Sequence, residues 1–352
     1  MLILASETKD RAEGTSAPAI EVEDLTKVYP GGKKALAGVS FSVRRGEIFG
    51  FLGPNGSGKT TAVRVLVTLL RQTSGTARVW GFDVEGQAVK VREVIGYAGQ
   101  SVGVDDDLSA QENLVLSGIL HGVSHDECWG RANELLEAFA LADVAGTRAG
   151  RLSGGLRRRL DLAQALVHRP AVVFLDEPTT GLDPQSRNAL WSLLRELSGQ
   201  GTTVFLTTQY LEEADRACDR VGIVDEGRLV NVGTPAELKG EVGGGSLRLT
   251  FAGPTGPARA AEVLGPCDVV TRMEQAIPGE PLTVYVDDPR AAVPAILKVL
   301  DDQGIHVTSV EQAQATLDDV FLRYTGERPR AEARHEGAVS GMFRAVHGRR
   351  RH

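Results

Sequence analysis

The chain has 352 residues, of which 42% are hydrophobic and 24% are charged, a composition typical of a globular protein large enough for more than one core. No run approaches the ~18 consecutive apolar residues of a membrane-spanning helix. The short apolar start "MLILA" lacks the basic residues and the length of a signal peptide, so secretion of the chain is not expected. The net charge of −7 becomes −11 when the basic residues 327–352 are set aside, and this acidic body argues against a nucleic-acid partner.

The first 240 residues alternate between short apolar strands and helical stretches. Residues 1–19 are polar and are predicted to form a flexible N-terminus. Beyond them "GEIFGFLG" precedes "KTTAVRVLVTLL", "AVVFLDE" precedes "PQSRNALWSLLREL", and "GTTVFLTT" precedes "YLEEADRACD". Continuous apolar strands that alternate with helices indicate a largely parallel sheet covered by helices. We therefore predict one α/β domain over residues 20–240.

A smaller second domain is predicted over residues 246–325, after a glycine-rich stretch, Glu241–Ser246, that is expected to be a flexible hinge. The pattern strand, helix, strand, strand, helix, strand predicts a ferredoxin-like α+β layer, with its second strand in "CDVVTRM", Cys267–Met273. The segment "TLDDVFLRYTG" adds a last helix with Thr316 as its cap. Residues 326–352 lack apolar periodicity and are predicted to be a disordered basic tail.

The stretch "GPNGSGKTT" fits the phosphate-binding pattern G-x-x-x-x-G-K-[ST]. Its glycines let backbone N–H groups point at phosphate oxygens, beside the start of a helix whose dipole also favours anions. Lys59 supplies a positive charge for the outer phosphates, and the hydroxyl of Thr60 can bind Mg²⁺. A chance glycine-rich turn is the alternative, which the position between a strand and a helix disfavours. The predicted nucleotide-binding residues of this loop are Gly53, Pro54, Asn55, Gly56, Ser57, Gly58, Lys59, Thr60 and Thr61.

An acidic pair ends a second apolar strand, "VVFLDEP". Asp176 is predicted to hold Mg²⁺, and Glu177 is predicted to polarise the attacking water. Alone, the pair could equally be an ordinary strand end. Together with a phosphate loop upstream, it indicates the catalytic half of a nucleotide-hydrolysing site.

Four further motifs indicate which class of nucleotide-hydrolysing protein this chain resembles. The stretch "RLSGGLRRRLDLAQAL", Arg151–Leu166, resembles the signature motif of the ABC-transporter ATPases. The sequence "GLDP", Gly181–Pro184, is similar to the D-loop of that family, and "GYAGQ", Gly96–Gln100, to its Q-loop. The segment "KVYPGG" places Tyr29 where the family stacks an aromatic ring on adenine. The motifs follow the family's order over residues 21–234.

The resemblance implies an ABC ATPase cassette, with a RecA-like core and antiparallel β and helical subdomains, beside the small α+β domain. It implies ATP with Mg²⁺, and hydrolysis of ATP to ADP and phosphate. It assigns Gln100 to the metal and the catalytic site, and Asp183 to the nucleotide site. It also implies a head-to-tail homodimer, in which Ser153, Gly154 and Gly155 of one copy face the γ-phosphate bound to the other. The helix start at these three residues suits an anion on physical grounds as well.

Gln209 departs from the general family pattern, which usually has His at the γ-phosphate. Glutamine offers an NH₂ donor of similar reach but cannot titrate. The segments "SGGLRRRLDLAQAL", "TTQYLEEAD" and "TLDDVFLRYTG" are similar to the ATP-binding subunits of daunorubicin/doxorubicin-resistance exporters, which also have this Gln. We therefore interpret Gln209 as a neutral γ-phosphate sensor rather than as a damaged residue.

The narrower resemblance implies a subunit that couples ATP-driven dimerisation to drug or antibiotic efflux through a separate permease, at the cytoplasmic face of the cell membrane. A soluble non-transport ABC ATPase, or an exporter of a lipid or polysaccharide, is the alternative. A single cassette, an acidic body and the absence of sustained heptads disfavour action on ribosomes or DNA. Intact Lys59, Asp176 and Glu177 disfavour a regulator that has lost hydrolysis.

Three smaller features have plain interpretations. The run Arg157–Arg159 is interpreted as a solvated helix face, with an anion site as the alternative. Asp105–Asp107 follow the Q-loop and fit a polar loop or a permease-docking site equally well. The three cysteines and the histidines show no metal-ligand spacing, and no metal site is predicted from them.

Overall fold

The computed structural model describes residues 17–242, 245–313 and 316–325. Residues 1–16 of the predicted N-terminus and the whole predicted tail, 326–352, lie outside the described residues. In chain order the strands are β1 (Ile20–Val28), β2 (Lys34–Val43), β3 (Ile48–Leu52), β4 (Ser74–Val79), β5 (Phe82–Asp83), β6 (Ile95–Ala98), β7 (Val172–Asp176), β8 (Thr203–Thr208), β9 (Arg220–Asp225), β10 (Arg228–Gly233), β11 (Gly245–Phe251), β12 (Arg272–Met273), β13 (Leu282–Val286) and β14 (Val307–Ala313). The helices are α1 (Lys59–Leu66), α2 (Ala88–Val94), α3 (Ala110–Leu120), α4 (His125–Ala138), α5 (Gly154–Gln164), α6 (Pro184–Gly199), α7 (Leu211–Ala217), α8 (Pro235–Val242), α9 (Gly256–Leu264), α10 (Pro289–Asp302) and α11 (Leu317–Thr325).

The central sheet has the strand order β10-β9-β3-β8-β7-β6. Its neighbours pair in parallel except for the edge pair β9 and β10, which is antiparallel. Every residue of β3, β7 and β8 is buried, as their continuous apolar sequences predict. Because the three strands are parallel, their carboxyl ends meet at one edge of the sheet. That edge carries the phosphate loop, the acidic pair and Gln209.

A second, antiparallel sheet has the order β2-β1-β4-β5 and packs against the central sheet. Phenyl rings form the contact, with centroid distances of 5.3 to 5.9 Å between Phe41 and its neighbours Phe49, Phe51 and Phe205. Such rings bury large apolar areas and favour these offset geometries. Because β1 pairs along its length with β2, which carries Phe41, the turn that follows β1 holds Tyr29 beside the phosphate loop.

The other face of the central sheet is covered by helices that share a second hydrophobic core. Helices α3 and α4 pack together and against α5. Ser109 begins α3 with reciprocal hydrogen bonds to Glu112, a capping box that defines this helix start. These helices form the helical part that the resemblance implies, so the predicted α/β fold class is confirmed.

The C-terminal antiparallel sheet, with the order β12-β13-β11-β14, is covered by α9 and α10 over its own hydrophobic core. The strand predicted at Cys267–Met273 is wrong for most of its length, because only Arg272–Met273 pairs with β13. The preceding residues form turns, in which Cys267 N donates to Leu264 O and Val270 N donates to Cys267 O. The predicted hinge is also wrong at both ends, since α8 continues to Val242 and β11 begins at Gly245.

The last helix, α11, returns to the cassette. Its buried side chains, Leu317, Val320 and Phe321, join the hydrophobic core of the ATPase part rather than that of the C-terminal sheet. The predicted cap is present, since Thr316 Oγ1 accepts from Asp319 N at 3.2 Å and Asp319 Oδ2 accepts from Thr316 N at 2.8 Å. Helix α11 therefore ties the C-terminal sheet to the cassette, and the boundaries 20–240 and 246–325 stay a prediction.

Candidate active site

A cavity of about 190 Å³ lies over the phosphate loop. It brings the aromatic residue after β1 together with the loop, the Q-loop glutamine and the second acidic residue. Its lining consists of Tyr29, Lys33, Ala35, Asn55, Gly56, Gly58, Lys59, Thr60, Thr61, Gln100 and Glu177. Tyr29 Oη lies 3.4 Å from Thr61 Oγ1, which places its ring at the mouth of the loop.

Two glycines allow the loop to pass close to other backbone. A Cβ on Gly58 would lie 2.4 Å from Ala35 O, and the φ of Gly58 is +108°, a conformation that other residues rarely adopt. A Cβ on Gly53 would lie 2.2 Å from Val224 O. The loop therefore requires glycine at both positions, and α1 begins directly after Gly58.

Lys59 is buried below the loop, with 4% of its side chain exposed. Its Nζ donates to Gly53 O at 2.8 Å and to Pro54 O at 3.0 Å, and lies 3.8 Å from Glu177 Oε1. Burial lowers the pKa of this ammonium below its ordinary value, while Glu177 and Asp176 act in the opposite direction. Backbone carbonyl groups thus hold the ammonium at the position where the phosphates of a nucleotide would bind.

Asp176 is fully buried at the end of β7 and suits a divalent cation. Its Oδ1 accepts from Thr207 Oγ1 at 2.5 Å and from Thr60 Oγ1 at 3.3 Å. Its Oδ2 is buried and accepts no hydrogen bond from the described residues. A buried carboxylate oxygen without a donor fits a hard cation such as Mg²⁺, which prefers carboxylate and hydroxyl oxygens. Gln100 Nε2 donates to Thr60 Oγ1 at 3.3 Å, so its oxygen would face such an ion only with the amide turned over.

Glu177 sits in a strained turn directly after Asp176. Its φ is +50°, a left-handed conformation that costs a non-glycine residue on the order of 1 kcal/mol and often marks functional sites. Its N–H donates to the hydroxyl of Thr207 at 3.0 Å. The turn directs the half-buried carboxylate into the cavity, where it faces Lys59. In this position a carboxylate can accept a proton from water beside a phosphate.

The predicted signature residues lie outside this cavity. Ser153 is exposed and caps α5, where its hydroxyl accepts from Leu156 N at 3.4 Å. Gly154 and Gly155 form the first turn of α5, and a Cβ on either would meet nothing within 4 Å. Asp183 caps α6 by accepting from Ser186 N at 2.9 Å and from its hydroxyl, and these bonds lower its pKa.

The arginine run is not the solvated helix face that its sequence indicates. Arg158 is buried, with 5% exposed, and hydrogen-bonds to the residues around Gln100 and Glu177. Arg159 donates to Ser186 Oγ at 2.6 Å, and Arg157 forms an ion pair with Asp106 at 2.6 Å. No sequence signal distinguished Arg158, because only tertiary contacts decide which of three adjacent arginines is buried.

The aspartate loop after the Q-loop makes internal contacts. Besides the ion pair of Asp106, Asp105 Oδ1 accepts from Asp107 N at 3.0 Å, and Asp105 N donates to Asn113 Oδ1 at 2.8 Å. These contacts support the polar-loop interpretation for Asp105 and Asp106, while docking of a permease here stays a prediction.

Comparison with known proteins fits this geometry. The family described as "ABC transporter" matches residues 36–180, and "ATP-binding protein DrrA1-3-like, C-terminal domain" matches residues 233–325. The daunorubicin/doxorubicin resistance ATP-binding protein DrrA of Streptomyces peucetius is 43% identical over 326 residues, which cover 92% of this chain and 98% of that protein. The chain belongs to the ATP-binding subunits of ABC transporters. It is therefore an ABC-type ATPase, a class whose cassettes bind ATP and ADP.

The chain is also similar to a relative named for another function and to solved structures of ABC cassettes. The Nod factor export ATP-binding protein I of Paraburkholderia xenovorans is 40% identical over 88% of this chain and 97% of its own length. Among solved structures, an ATP-binding subunit of an ABC transporter aligns with a TM-score of 0.59 and 28% identity, over 63% of this chain and 92% of that one. A post-hydrolysis dimer of the ATP-binding cassette MJ0796, bound to ADP and Pi, aligns with a TM-score of 0.57 and 27% identity, over 61% and 98%. Within residues 17–242, 245–313 and 316–325, none of the helices is long and apolar enough to cross a membrane.

Gln209 follows β8 at the same sheet edge as Asp176. It is half-buried and is not among the residues that line the cavity. Thr207, two residues earlier, donates to Asp176 and accepts from Glu177 N, so the strand end is fixed to the acidic pair. The role of Gln209 as a γ-phosphate sensor is therefore a proposal, and it concerns the protein with nucleotide bound.

Replacing Gln209 by Ala is expected to lower ATP turnover by roughly 10²-fold, as the loss of one preorganised donor does. Gln209→His should stay active and gain a pH dependence near ~6.5, because protonation of the ring below that pH adds charge and a second donor. Turnover of the three forms should be measured against pH. Gln200→Ala, at the exposed end of α6, is the matched control and should match the parent. Parent-like hydrolysis by Gln209→Ala would show that the residue does not act on the phosphate.

Proposed function

We propose that this protein is the ATP-hydrolysing subunit of a bacterial exporter, acting as a head-to-tail homodimer on a separate permease at the cytoplasmic face of the membrane. One observation supports the proposed head-to-tail dimer. The helix start at Ser153 is exposed, suits an anion, and lies outside the cavity that its own chain forms. A second copy can place that helix start over the cavity of the first, and the MJ0796 cassette is itself described as a dimer.

The described side chains give each part of the reaction a role. Lys59 and the start of α1 bind the outer phosphates of ATP. Asp176 and Thr60, with Gln100 once its amide is turned over, would hold Mg²⁺, and the bound ion would supply charge stabilisation for the transferred phosphoryl group. Glu177 accepts a proton from the attacking water, and the Tyr29 ring stacks on adenine. The distance of 3.8 Å between the Lys59 ammonium and the Glu177 carboxylate supports the roles proposed for these two side chains.

The cargo is proposed to be a drug or antibiotic. Relatives named for daunorubicin resistance are 43% to 45% identical over 88% to 92% of this chain, and they include the C-terminal domain. The relatives named for Nod factor export, at 39% to 40% identity, keep a cargo other than a drug as the second candidate. Expression with a permease and a test of anthracycline resistance in intact cells would separate the two. Membrane recovery of the chain only when that permease is present would exclude the soluble alternative.

Removal of Mg²⁺ is the direct test of the proposed chemistry. Phosphate release from ATP is expected to fall by on the order of 10²-fold or more in EDTA, because the metal supplies several kcal/mol of charge stabilisation. Excess Mg²⁺ should restore the rate fully. Binding of a fluorescent ATP analogue should be followed in parallel to separate loss of binding from loss of hydrolysis. Undiminished hydrolysis in EDTA would contradict the roles of Asp176 and Thr60.

A further inference from the structure

The guanidinium of Arg158 lies between α5 and the two loops that carry Gln100 and Glu177. Each of its five N–H donors has an acceptor. Nη1 donates to Gly99 O at 2.5 Å and to Asp161 Oδ2 at 3.0 Å. Nη2 donates to the carbonyl groups of Asp176 at 3.1 Å and Glu177 at 3.4 Å. Nε donates to the carbonyl group of Pro178 at 3.5 Å. A single side chain therefore fixes peptide groups of the Q-loop and of the acidic turn.

The acceptors are the peptide groups that aim two proposed catalytic side chains. Gly99 directly precedes Gln100, whose amide reaches Thr60. The carbonyl groups of Asp176 and Glu177 flank the residue with φ +50°. A non-glycine residue keeps this conformation only when its surroundings hold it there. Arg158 supplies that support from one side, and Thr207 supplies it from the other by accepting from Glu177 N.

Asp161 anchors the guanidinium on α5. The two side chains are 6% and 8% exposed, and Asp161 Oδ1 also accepts from Gly103 N at 2.8 Å, beyond the Q-loop. Burial lowers the pKa of Arg158 and raises that of Asp161, while the attraction between the charges opposes both shifts. A buried ion pair of this kind often adds little net stability, because desolvation offsets the attraction. Its hydrogen-bond pattern points to a role in geometry instead.

We propose that Arg158 is a positioning residue for ATP hydrolysis, which joins α5 to the Gln100 loop and the Glu177 turn so that these parts keep one fixed arrangement. The inference rests on the proposed function, because Glu177 and Gln100 have their roles there. Ser153, which caps helix α5, is the residue proposed to meet the γ-phosphate of the partner copy. A rigid connection through Arg158 makes the arrangement of the catalytic side chains depend on where that helix sits.

The test compares four variants of the full chain by steady-state ATP hydrolysis, binding of a fluorescent ATP analogue, and thermal unfolding. Arg158→Gln removes the charge and most donors, and should lower kcat by roughly 10²-fold, the scale of an ångström-level misplacement. Its affinity for the analogue should change less than about 3-fold, because the phosphate loop is untouched. Arg158→Lys keeps the charge but offers only three donors from one atom, and should lower kcat by roughly 10-fold.

The double variant Arg158→Gln/Asp161→Asn separates positioning from stability. It removes both buried charges together, so its Tm should recover toward that of the parent, whereas Arg158→Gln alone leaves Asp161 unpaired. Its kcat should stay low, since the carbonyl groups of Gly99 and Glu177 still lack their donors. Arg157→Gln is the matched control, because Arg157 pairs with Asp106 at the surface, and it should hydrolyse ATP like the parent.

Each outcome decides the proposal. Recovery of kcat together with Tm in the double variant, or a parent-like kcat in Arg158→Lys, would show that Arg158 only stabilises the fold. A rise in KM at unchanged kcat would assign it to nucleotide binding instead. Failure of the parent itself to hydrolyse ATP would refute the proposed function and the positioning role with it, whereas an active parent with a parent-like kcat in Arg158→Gln would refute only the positioning role. If Arg158→Gln does not fold, Arg158→Lys and the double variant still give the decisive comparison.

Discussion

Replacement of Glu177 by Gln is expected to leave ATP binding intact and to lower hydrolysis by roughly 10²-fold or more, the scale of a lost general base. Glutamine has the same size and can keep its oxygen toward Lys59, which lies 3.8 Å from the carboxylate. It cannot accept the proton of the attacking water. Because the unhydrolysed γ-phosphate then persists, the variant should accumulate as an ATP-bound dimer.

Size-exclusion chromatography with Mg-ATP, together with a phosphate-release assay, measures both effects. Glu226→Gln is the matched control, because Glu226 also has a positive φ, +46°, but lies exposed between β9 and β10. The same backbone demand is therefore present without the proposed chemistry, and this variant should behave as the parent does. A Glu177→Gln chain that stays monomeric with ATP and hydrolyses at the parental rate would remove Glu177 from the mechanism.

The parallel sheet and the phosphate loop could be predicted because their signals are local. Continuous apolar runs such as residues 172–175 of β7 specify buried strands, and the loop pattern specifies a glycine at Gly58, where any Cβ would meet Ala35 O at 2.4 Å. The strand predicted at Cys267–Met273 failed for a local reason of another kind. Its apolar residues suit a strand, but the turns after α9 use their backbone hydrogen bonds before pairing with β13 can begin.

Features that depend on contacts between segments distant in sequence could not be predicted from the sequence pattern. Arg158 meets residues 59 positions earlier and 18 to 20 positions later, and nothing in an arginine run indicates which side chain those loops will enclose. Helix α11 is amphipathic by sequence, but its apolar face could equally have covered the neighbouring C-terminal sheet. Its packing on the cassette follows from tertiary complementarity with α7 and α8.

Ser153→Arg is expected to leave ATP binding at the phosphate loop unchanged and to abolish turnover. A bulky side chain at the start of α5 would occupy the space that the γ-phosphate of the partner copy needs, so the dimer could not close. The substitution also removes a helix cap, which costs about 1 kcal/mol. Ser124→Arg controls for that loss, because Ser124 is exposed and caps α4 with the same geometry, its hydroxyl accepting from Glu127 N at 3.4 Å. This control should hydrolyse ATP normally.

Mixing Ser153→Arg with Lys59→Ala chains then asks whether the two halves of a site come from different copies. A mixed dimer pairs the intact phosphate loop of the first chain with the intact α5 start of the second, and so contains one complete site, whereas neither variant alone contains any. Random pairing of equal amounts should therefore restore about a quarter of the parental rate, if the two sites of a symmetric dimer act independently. Two inactive chains that stay inactive together, after exchange has been verified, would contradict the shared site. Full activity of Ser153→Arg alone would show that each chain hydrolyses ATP without help from α5 of its partner.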